Sequence, residues 1–260
     1  MFIESPANEK VRKWRKLKNK KGRKEQQLFL VEGLRLVEEL LQSSWEPVYL
    51  LWDVGTDEVP ERILTRAKER NTVIVEMSPA AFAAVSDTVT PQGVIVIAAL
   101  PPTSPAYPEH VLLLDEVQDP GNAGTLLRAA EAFGLEEVVC TTGTVDPFAP
   151  KVVRSTMGGL FHLRVQAIDA LPYIHTWSET WPDGQVISTQ AVGANHCYVA
   201  DFTKPTLLII GSEATGVSEK LIEASDDTVQ IPMAGQAESL NAAMAGSILM
   251  YEMLRQRLNR

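Results

Sequence analysis

The chain has 260 residues, 45% of them hydrophobic, enough to build two modest cores rather than one. No apolar run is long enough to span a bilayer or to serve as a secretory leader, and Cys140, Cys197 and four scattered histidines offer no disulfide framework, zinc site or nucleophilic triad. A cytoplasmic, metal-free protein is therefore expected, and its net charge of −9 argues on average against a polyanionic partner.

The first 24 residues depart from that average. They hold ten of the 24 Lys and Arg against Glu4 and Glu9, a local charge of +8, so the remainder carries −17. Such an end neutralises phosphates and releases counterions, giving salt-dependent and largely sequence-blind binding to RNA or DNA; a solvated tail is the plainer alternative. Trp14 and Asn19 among the charges favour RNA, because an aromatic ring stacks on an unpaired base. Residues 4–24 read as helical and 27–32 as a strand. A helix follows over 33–41, with Leu34, Val37 and Leu41 on one face. Next come a strand at 48–52, a helix at 60–70 opened by Pro60, and strands at 72–76 and 94–99. This alternation predicts a small α/β layer domain. Four prolines within residues 101–108 make a stiff connector, so the expected division is a first domain over 1–100, a linker over 101–108 and a second domain over 109–260.

In the second domain, strands are predicted at 111–115, 136–141, 163–166, 185–190, 207–211 and 228–231. Helices are predicted at 123–133, 150–158, 169–179, 218–224 and 239–258. The run from Leu207 to Ile210 is apolar throughout, as in a parallel sheet covered on both faces. Ligands of such sheets bind beyond the carboxyl ends of the strands, where polar, Gly-containing turns sit at 188–193, 211–216 and 231–240. Gly211, lacking a Cβ, allows close approach of a ligand. No G-x-G-x-x-G follows a strand, and Gly121-Asn-Ala-Gly124 lacks the Lys-Ser/Thr ending of a phosphate loop. Lys151 and Arg154 lie three apart on one helix face, able to bracket a phosphate or simply to be solvated. In the last helix Leu240, Met244, Ile248, Tyr251, Leu254 and Leu258 recur at steps of three and four. That face is expected on the core, with Ser239 as N-cap.

Three groups of residues stand at these strand ends in order: Asn122, Gly124, Arg128 and Gly134; then Gly211, Glu213 and Gly216; then Ile231, Pro232, Met233, Ser239, Leu240 and Asn241. With them the chain resembles the SpoU family of RNA ribose 2′-O-methyltransferases, within the SPOUT class. Glu32-Gly33-Leu34 and Ser86-Asp-Thr-Val-Thr-Pro-Gln-Gly93 are similar to phrases of the ribosomal-protein-like RNA-binding domain that precedes the catalytic domain in many members. The resemblance implies an α/β protein whose C-terminal domain is a SPOUT trefoil knot around a mostly parallel sheet. It also implies S-adenosylmethionine as methyl donor, a structured RNA, most readily ribosomal RNA, as substrate, and a homodimer with the cofactor pocket near its interface.

By the same resemblance the cofactor pocket is expected at Thr189, Gly211, Ile231, Met233 and Leu240, and the catalytic set is Arg128, Asn122, Glu213, Ser239 and Asn241. The family's arginine has been cast as a general base, but a guanidinium is not deprotonated in proteins. Arg128 is therefore expected to fork a neighbouring phosphate and lower the hydroxyl's pKa electrostatically, with the base left open. Asn122 would cap its helix or orient Arg128 or the ribose, Glu213 would hold loop geometry, and Ser239 with Asn241 would cap the last helix while contacting substrate. RNA contacts are expected from Lys10, Arg12, Lys13, Arg15, Lys16 and Lys20, and from Lys151 and Arg154. Ala129 stands where Ser or Thr is common in the family, and Ala242-Ala243 where Val-Ser is frequent. Three alternatives stay open: a tRNA 2′-O-methyltransferase, a non-catalytic RNA-binding or ribosome-assembly factor of the same fold, and a base methyltransferase of the wider class.

Overall fold

A computed structural model describes residues 1–56, 58–191, 195–236 and 238–258. The chain runs β1 (Phe2–Ile3), α1 (Glu9–Arg15), α2 (Lys20–Gln26), β2 (Leu28–Glu32), α3 (Leu34–Gln42), β3 (Pro47–Asp53), α4 (Glu61–Glu69), β4 (Val73–Met77), α5 (Pro79–Val85) and β5 (Val94–Ala99). It continues with β6 (His110–Leu114), α6 (Pro120–Ala132), β7 (Glu137–Cys140), α7 (Pro150–Ser155), β8 (Arg164–Ala167), α8 (Ala170–Thr180), β9 (Gln185–Thr189), β10 (Asn195–His196), β11 (Thr206–Ile210), α9 (Glu219–Glu223), β12 (Asp227–Gln230) and α10 (Ala242–Leu258). Two compact units result, Met1–Pro102 with Phe148–Phe161, and Thr103–Pro147 with His162–Arg260.

The first unit is a five-stranded mixed sheet in the order β1-β4-β3-β5-β2, with β5 antiparallel to both its neighbours. The single helix expected over residues 4–24 is two helices joined by a 3-10 turn, Lys16–Lys18, and broken at Asn19, whose backbone is extended. The bend depends on Gly22, because a Cβ there would lie 2.1 Å from the Lys16 carbonyl oxygen. Arg23 is buried at the bend and donates to the Leu17 carbonyl at 2.7 Å. Trp14, expected to stack on a base, is only 3% exposed and joins Val11, Leu17, Leu51 and Phe82 in the core. A basic amphipathic helix buries its few large apolar side chains first, which removes that aromatic from any RNA surface.

Helix α5, absent from the sequence reading, is Pro79-Ala-Ala-Phe-Ala-Ala-Val85, too uniformly apolar to show a helical period. It is capped by the Ser78 hydroxyl, which accepts from the Ala81 N–H at 3.2 Å. The segment Phe148–Phe161, expected within the second domain, packs with this unit. Phe148 packs on Phe29 and Phe161 on Trp45, with ring centroids 5.4 and 5.6 Å apart. Here Arg154 departs from expectation. Its Nη2 lies 2.9 Å from Asp87 Oδ2, so its charge is already neutralised within the protein, while Lys151 stays exposed.

The second unit is a seven-stranded sheet, parallel at every pairing, in the order β10-β12-β9-β11-β6-β7-β8. One face is covered by Ala170, Tyr173, Ile174 and Trp177 of α8 over Val111, Leu113, Leu207 and Ile209. The stretch before β6 is anchored to this layer. Glu137, fully buried, accepts from the Ala106 and Tyr107 N–H groups at 3.1 Å and from the Tyr173 hydroxyl at 2.9 Å. Burial, and then the adjacent carboxylate, push the Tyr173 phenol well above its ordinary pKa. The alternate side chains of β11 face α10, where a Cβ on Gly246 would come within 2.3 Å of Leu126 and 3.4 Å of Ile210.

Helix α10 turns the opposite way from the expectation. Its buried face is Ala242, Ala243, Gly246, Leu249, Met250 and Met253, whereas Met244, Ile248, Tyr251 and Leu258 are exposed. Two apolar stripes run along this helix, and the one with small residues packs inward because it lets the helix approach α6 closely. The helix also begins later than expected. Asn241, not Ser239, supplies its cap, accepting from the Ala243 and Met244 N–H groups at 3.0 and 3.3 Å.

Candidate active site

Strand β6 is the point where the order of the second sheet reverses, with β7 and β8 on one side and β11, β9 and β12 on the other. All strands being parallel, the carboxyl ends of β12, β9, β11 and β6 lie side by side, where open α/β sheets bind their ligands. The turns after β9, β11 and β12, with the start of α10, enclose a cavity of about 680 Å³. Its walls include Thr189, Gly211, Ile231, Met233 and Leu240, the five positions expected for a cofactor, together with Glu213, Ser239 and Asn241. Val192, Gly193 and Ala237 of the expected turns lie outside the described residues.

Local chemistry fixes these turns. Thr189 Oγ1 donates to the Ile209 carbonyl at 3.0 Å, joining β9 to β11 at the cavity rim. The loop after β11 closes on itself, Ser212 and Gly216 exchanging backbone hydrogen bonds at 3.2 and 3.0 Å, with Gly216 at φ +70°. Gly211 is required by the fold of the loop itself. A Cβ there would lie 2.1 to 2.2 Å from the Gly216 and Val217 backbone, so the approach it permits is of the loop to itself. Asp115, missed in the sequence, anchors the end of this loop. It is 1% exposed, and its Oδ2 accepts from the Ser218 N–H at 2.8 Å while its own N–H donates to the Ile210 carbonyl at 2.8 Å. A carboxylate directly after the run Val111-Leu-Leu-Leu114 was the available signal, since a buried charge at a strand end needs partners.

The three motifs are joined by one directional chain of hydrogen bonds. Asn241 turns its carbonyl oxygen to the N-terminus of α10, so its amide nitrogen is left to donate, and it does so to Asn122 Oδ1 at 3.1 Å. Asn122 in turn donates its own amide to Glu213 Oε1. Asn122 thus does not cap α6. Asp119 does, accepting from the Asn122 N–H at 2.9 Å. Both side-chain groups of Asn122 are already engaged, which makes it a residue that holds the loop of Glu213 to the start of α10.

Arg128 is not brought into this cluster. It lies six residues beyond Asn122 on α6, about 9 Å along the axis and a third of a turn around it. It is exposed and does not line the cavity, and its side chain has no hydrogen bond or ion pair among the described residues. Among those residues no group of His, Cys, Asp and Glu is arranged to hold a metal ion.

The cavity suits S-adenosylmethionine in size and in chemistry. Pockets for ligands of that class hold about 300–1,000 Å³ behind largely apolar walls, and here Ile210, Val229, Ile231, Met233, Leu240 and Leu249 supply aliphatic faces for a purine ring. The loop at 212–215 supplies polar groups for a charged tail.

Comparisons with known proteins agree with this geometry. The SpoU rRNA Methylase family matches residues 109–251, and the MRM3-like substrate binding domain matches residues 8–96. The chain is 38% identical over 253 residues to the 23S rRNA (guanosine(2553)-2'-O)-methyltransferase RlmP of Bacillus subtilis, an alignment covering 96% of this chain and 98% of that protein. The crystal structure of the SpoU methyltransferase AviRb from Streptomyces viridochromogenes in complex with the cofactor AdoMet superposes with a TM-score of 0.86. Identity there is 30%, with 96% of this chain and 98% of that one covered. The AdoMet-bound rRNA methyltransferase from Sinorhizobium meliloti gives 0.85 at 29% identity, covering 98% of this chain and 97% of that one. A seven-stranded parallel sheet with its motifs gathered at one set of strand ends, matched along nearly the whole chain by these proteins, places this chain in the SpoU rRNA methylase family.

Proposed function

We propose that this protein transfers a methyl group from S-adenosylmethionine to a ribose 2′-hydroxyl of ribosomal RNA. The observation that carries the reading is the cavity at the ends of β9, β11 and β12, two of whose walls, the loop of Glu213 and the start of α10 at Asn241, are tied together through Asn122. When bound, S-adenosylmethionine supplies an electrophilic methyl group. The chain's part is to hold that donor at Thr189, Gly211, Ile231, Met233 and Leu240, and to present the hydroxyl to it. Positioning two bound reactants in line is worth several kcal/mol, on the order of 7 to 11 in favourable models. Glu213, Asn122 and Asn241 keep the cavity's walls in register, with Ser239 at its rim. Arg128, exposed and outside the cavity, grips a phosphate of the RNA beside the target and so holds the ribose in position. Residues 1–102 dock the RNA, through the exposed cations Lys10, Arg12, Arg15, Lys16 and Lys20, with Lys13 paired to Glu9 at 2.8 Å.

The working form in this proposal is a homodimer in the cytoplasm. Support comes from Met244, Ile248 and Tyr251, a stripe of large apolar side chains on α10, respectively 56%, 40% and 54% exposed, since contiguous exposed apolar surface marks an interaction face. The test is incubation with labelled methyl donor and ribosomal RNA from cells lacking the protein, followed by alkaline hydrolysis. Label at a hydrolysis-resistant phosphodiester is expected, and label released with base-modified nucleotides would overturn the reading. Arg128→Ala is expected to lower turnover at least a hundredfold while leaving donor affinity within about threefold; parallel loss of both would contradict the role given to Arg128.

A further inference from the structure

We propose that Asp115 is a positioning residue for the methyl donor, aiming the loop after β11 by gripping both of its stems; the inference rests on the donor-binding reading of the cavity above. Every residue from 211 to 217 lines that cavity, whereas Asp115 and Ser218 do not. On the entering stem the Asp115 N–H donates to the Ile210 carbonyl at 2.8 Å. On the leaving stem Asp115 Oδ2 accepts from the Ser218 N–H, also at 2.8 Å. One residue of a segment far away in the chain thus fixes both points from which the loop is hung.

The loop's own bonds give it shape but not direction. Ser212 and Gly216 pair through their backbones, the Ser212 and Thr215 hydroxyls lie 2.8 Å apart, and Gly211 has no room for a Cβ beside residues 216 and 217. Such a unit moves as one piece about its stems. Its tie from Asn122 to Glu213 lies in the open, where water competes for both groups. The bond to Asp115 is made to a carboxylate only 1% exposed, where a charged acceptor holds its donor more strongly.

Stability alone does not account for this carboxylate. Asp115 Oδ1 is buried with no hydrogen-bond partner among the described residues, and so is Ser218 Oγ, which leaves the N-terminus of α9 without a side-chain cap. A buried, half-bonded charge is costly to the fold, and stability is characteristically given up where a binding geometry is held. Asp115 then governs donor affinity without touching the donor, because a loop free to swing must lose that freedom on binding.

The test uses the full chain with Asp115→Ala, which removes the acceptor, and Asp115→Asn, which keeps one. Calorimetric titration with S-adenosylmethionine is expected to give a dissociation constant raised about tenfold by Asp115→Ala and held within about threefold of the parent by Asp115→Asn, which should melt no lower than the parent. An Asn variant as weak as the Ala variant would overturn the inference, since the bond would then not be what acts. With ribosomal RNA, Asp115→Ala is expected to raise the donor KM about tenfold while kcat at saturating donor and the KM for RNA stay within about threefold. A purely structural residue would instead lower kcat through the active fraction at unchanged donor KM, and that result would overturn the proposal. Without ligand, amide hydrogen exchange over residues 211–217 is expected to be faster in Asp115→Ala than in the parent while β6 and β11 keep their protection; equal exchange would count against it in the same way. Ser218→Pro removes the same bond from its other side, at a φ of −64° that proline already favours. It is expected to weaken donor binding as much as Asp115→Ala, and full affinity in this variant would refute the role even where Asp115→Ala does not fold. A parent that binds no S-adenosylmethionine would overturn the reading of the cavity itself.

Discussion

At the scale of single residues, the direction of each hydrogen bond matters as much as its presence. Asn241 must offer its oxygen to the start of α10, Asn122 must then accept from Asn241, and only a carboxylate or other acceptor fits at Glu213. Asn122→Asp removes the donor and sets two carboxylates side by side, and is expected to lower the methylation rate at least tenfold, about 1.4 kcal/mol. Adding Glu213→Gln should recover most of that loss, because the new amide donates to the carboxylate introduced at position 122, which still accepts from Asn241. Initial rates of the four-member cycle check this. Losses that simply multiply would show that the two side chains act independently. The residue types at these positions were readable in the sequence, but their division of labour was not. Nothing in the spacing of Asn122 and Asp119 says which one caps α6, since both side chains can reach a free N–H and only the packed loop decides.

At the scale of elements, α10 shows what periodicity does and does not convey. Leu240, Met244, Ile248, Tyr251, Leu254 and Leu258 do recur at helical steps, yet most of that stripe faces outward and the face bearing Ala243 and Gly246 packs on α6 and β11. A periodic pattern identifies residues that share a face; which of two apolar faces turns inward depends on how closely the neighbouring helix can come. Gly246→Ala is expected to destabilise the fold by about 1–3 kcal/mol through overpacking against Leu126, read as a lowered melting temperature, and Leu126→Ala in the same chain should relieve part of it. Ile248→Asp is expected to leave melting of the isolated subunit nearly unchanged and to halve the mass measured by light scattering. A monomeric parent would remove the role assigned to the stripe.

At the scale of the whole molecule, the net charge of −9 conceals a basic end of +8. Removing the first 24 residues would not test that end fairly, because Val11, Trp14 and Leu17 within it are core residues. Substitution does. Replacing Lys16, Lys20 and Lys24, all exposed, with Gln is expected to reduce the slope of log affinity against log salt by about two to three, at roughly 0.7–0.9 per lost phosphate contact. An unchanged slope would mean that these side chains stay solvated in the complex.

The sequence by itself determined the alternation of strands and helices, the apolar parallel strands, the family, and the five cavity positions, because each depends on short-range pattern or on a motif at a strand end. Tertiary structure decided which cations remained available. Arg154 and Arg23 were drawn into internal contacts, and Trp14 into the core, by partners distant in the chain or across a bend. It also decided that Gly211 serves the loop's own closure and that residues 148–161 pack with the first unit. Burial and pairing are properties of three-dimensional neighbours, and a linear pattern records only which residues are able to be buried or paired.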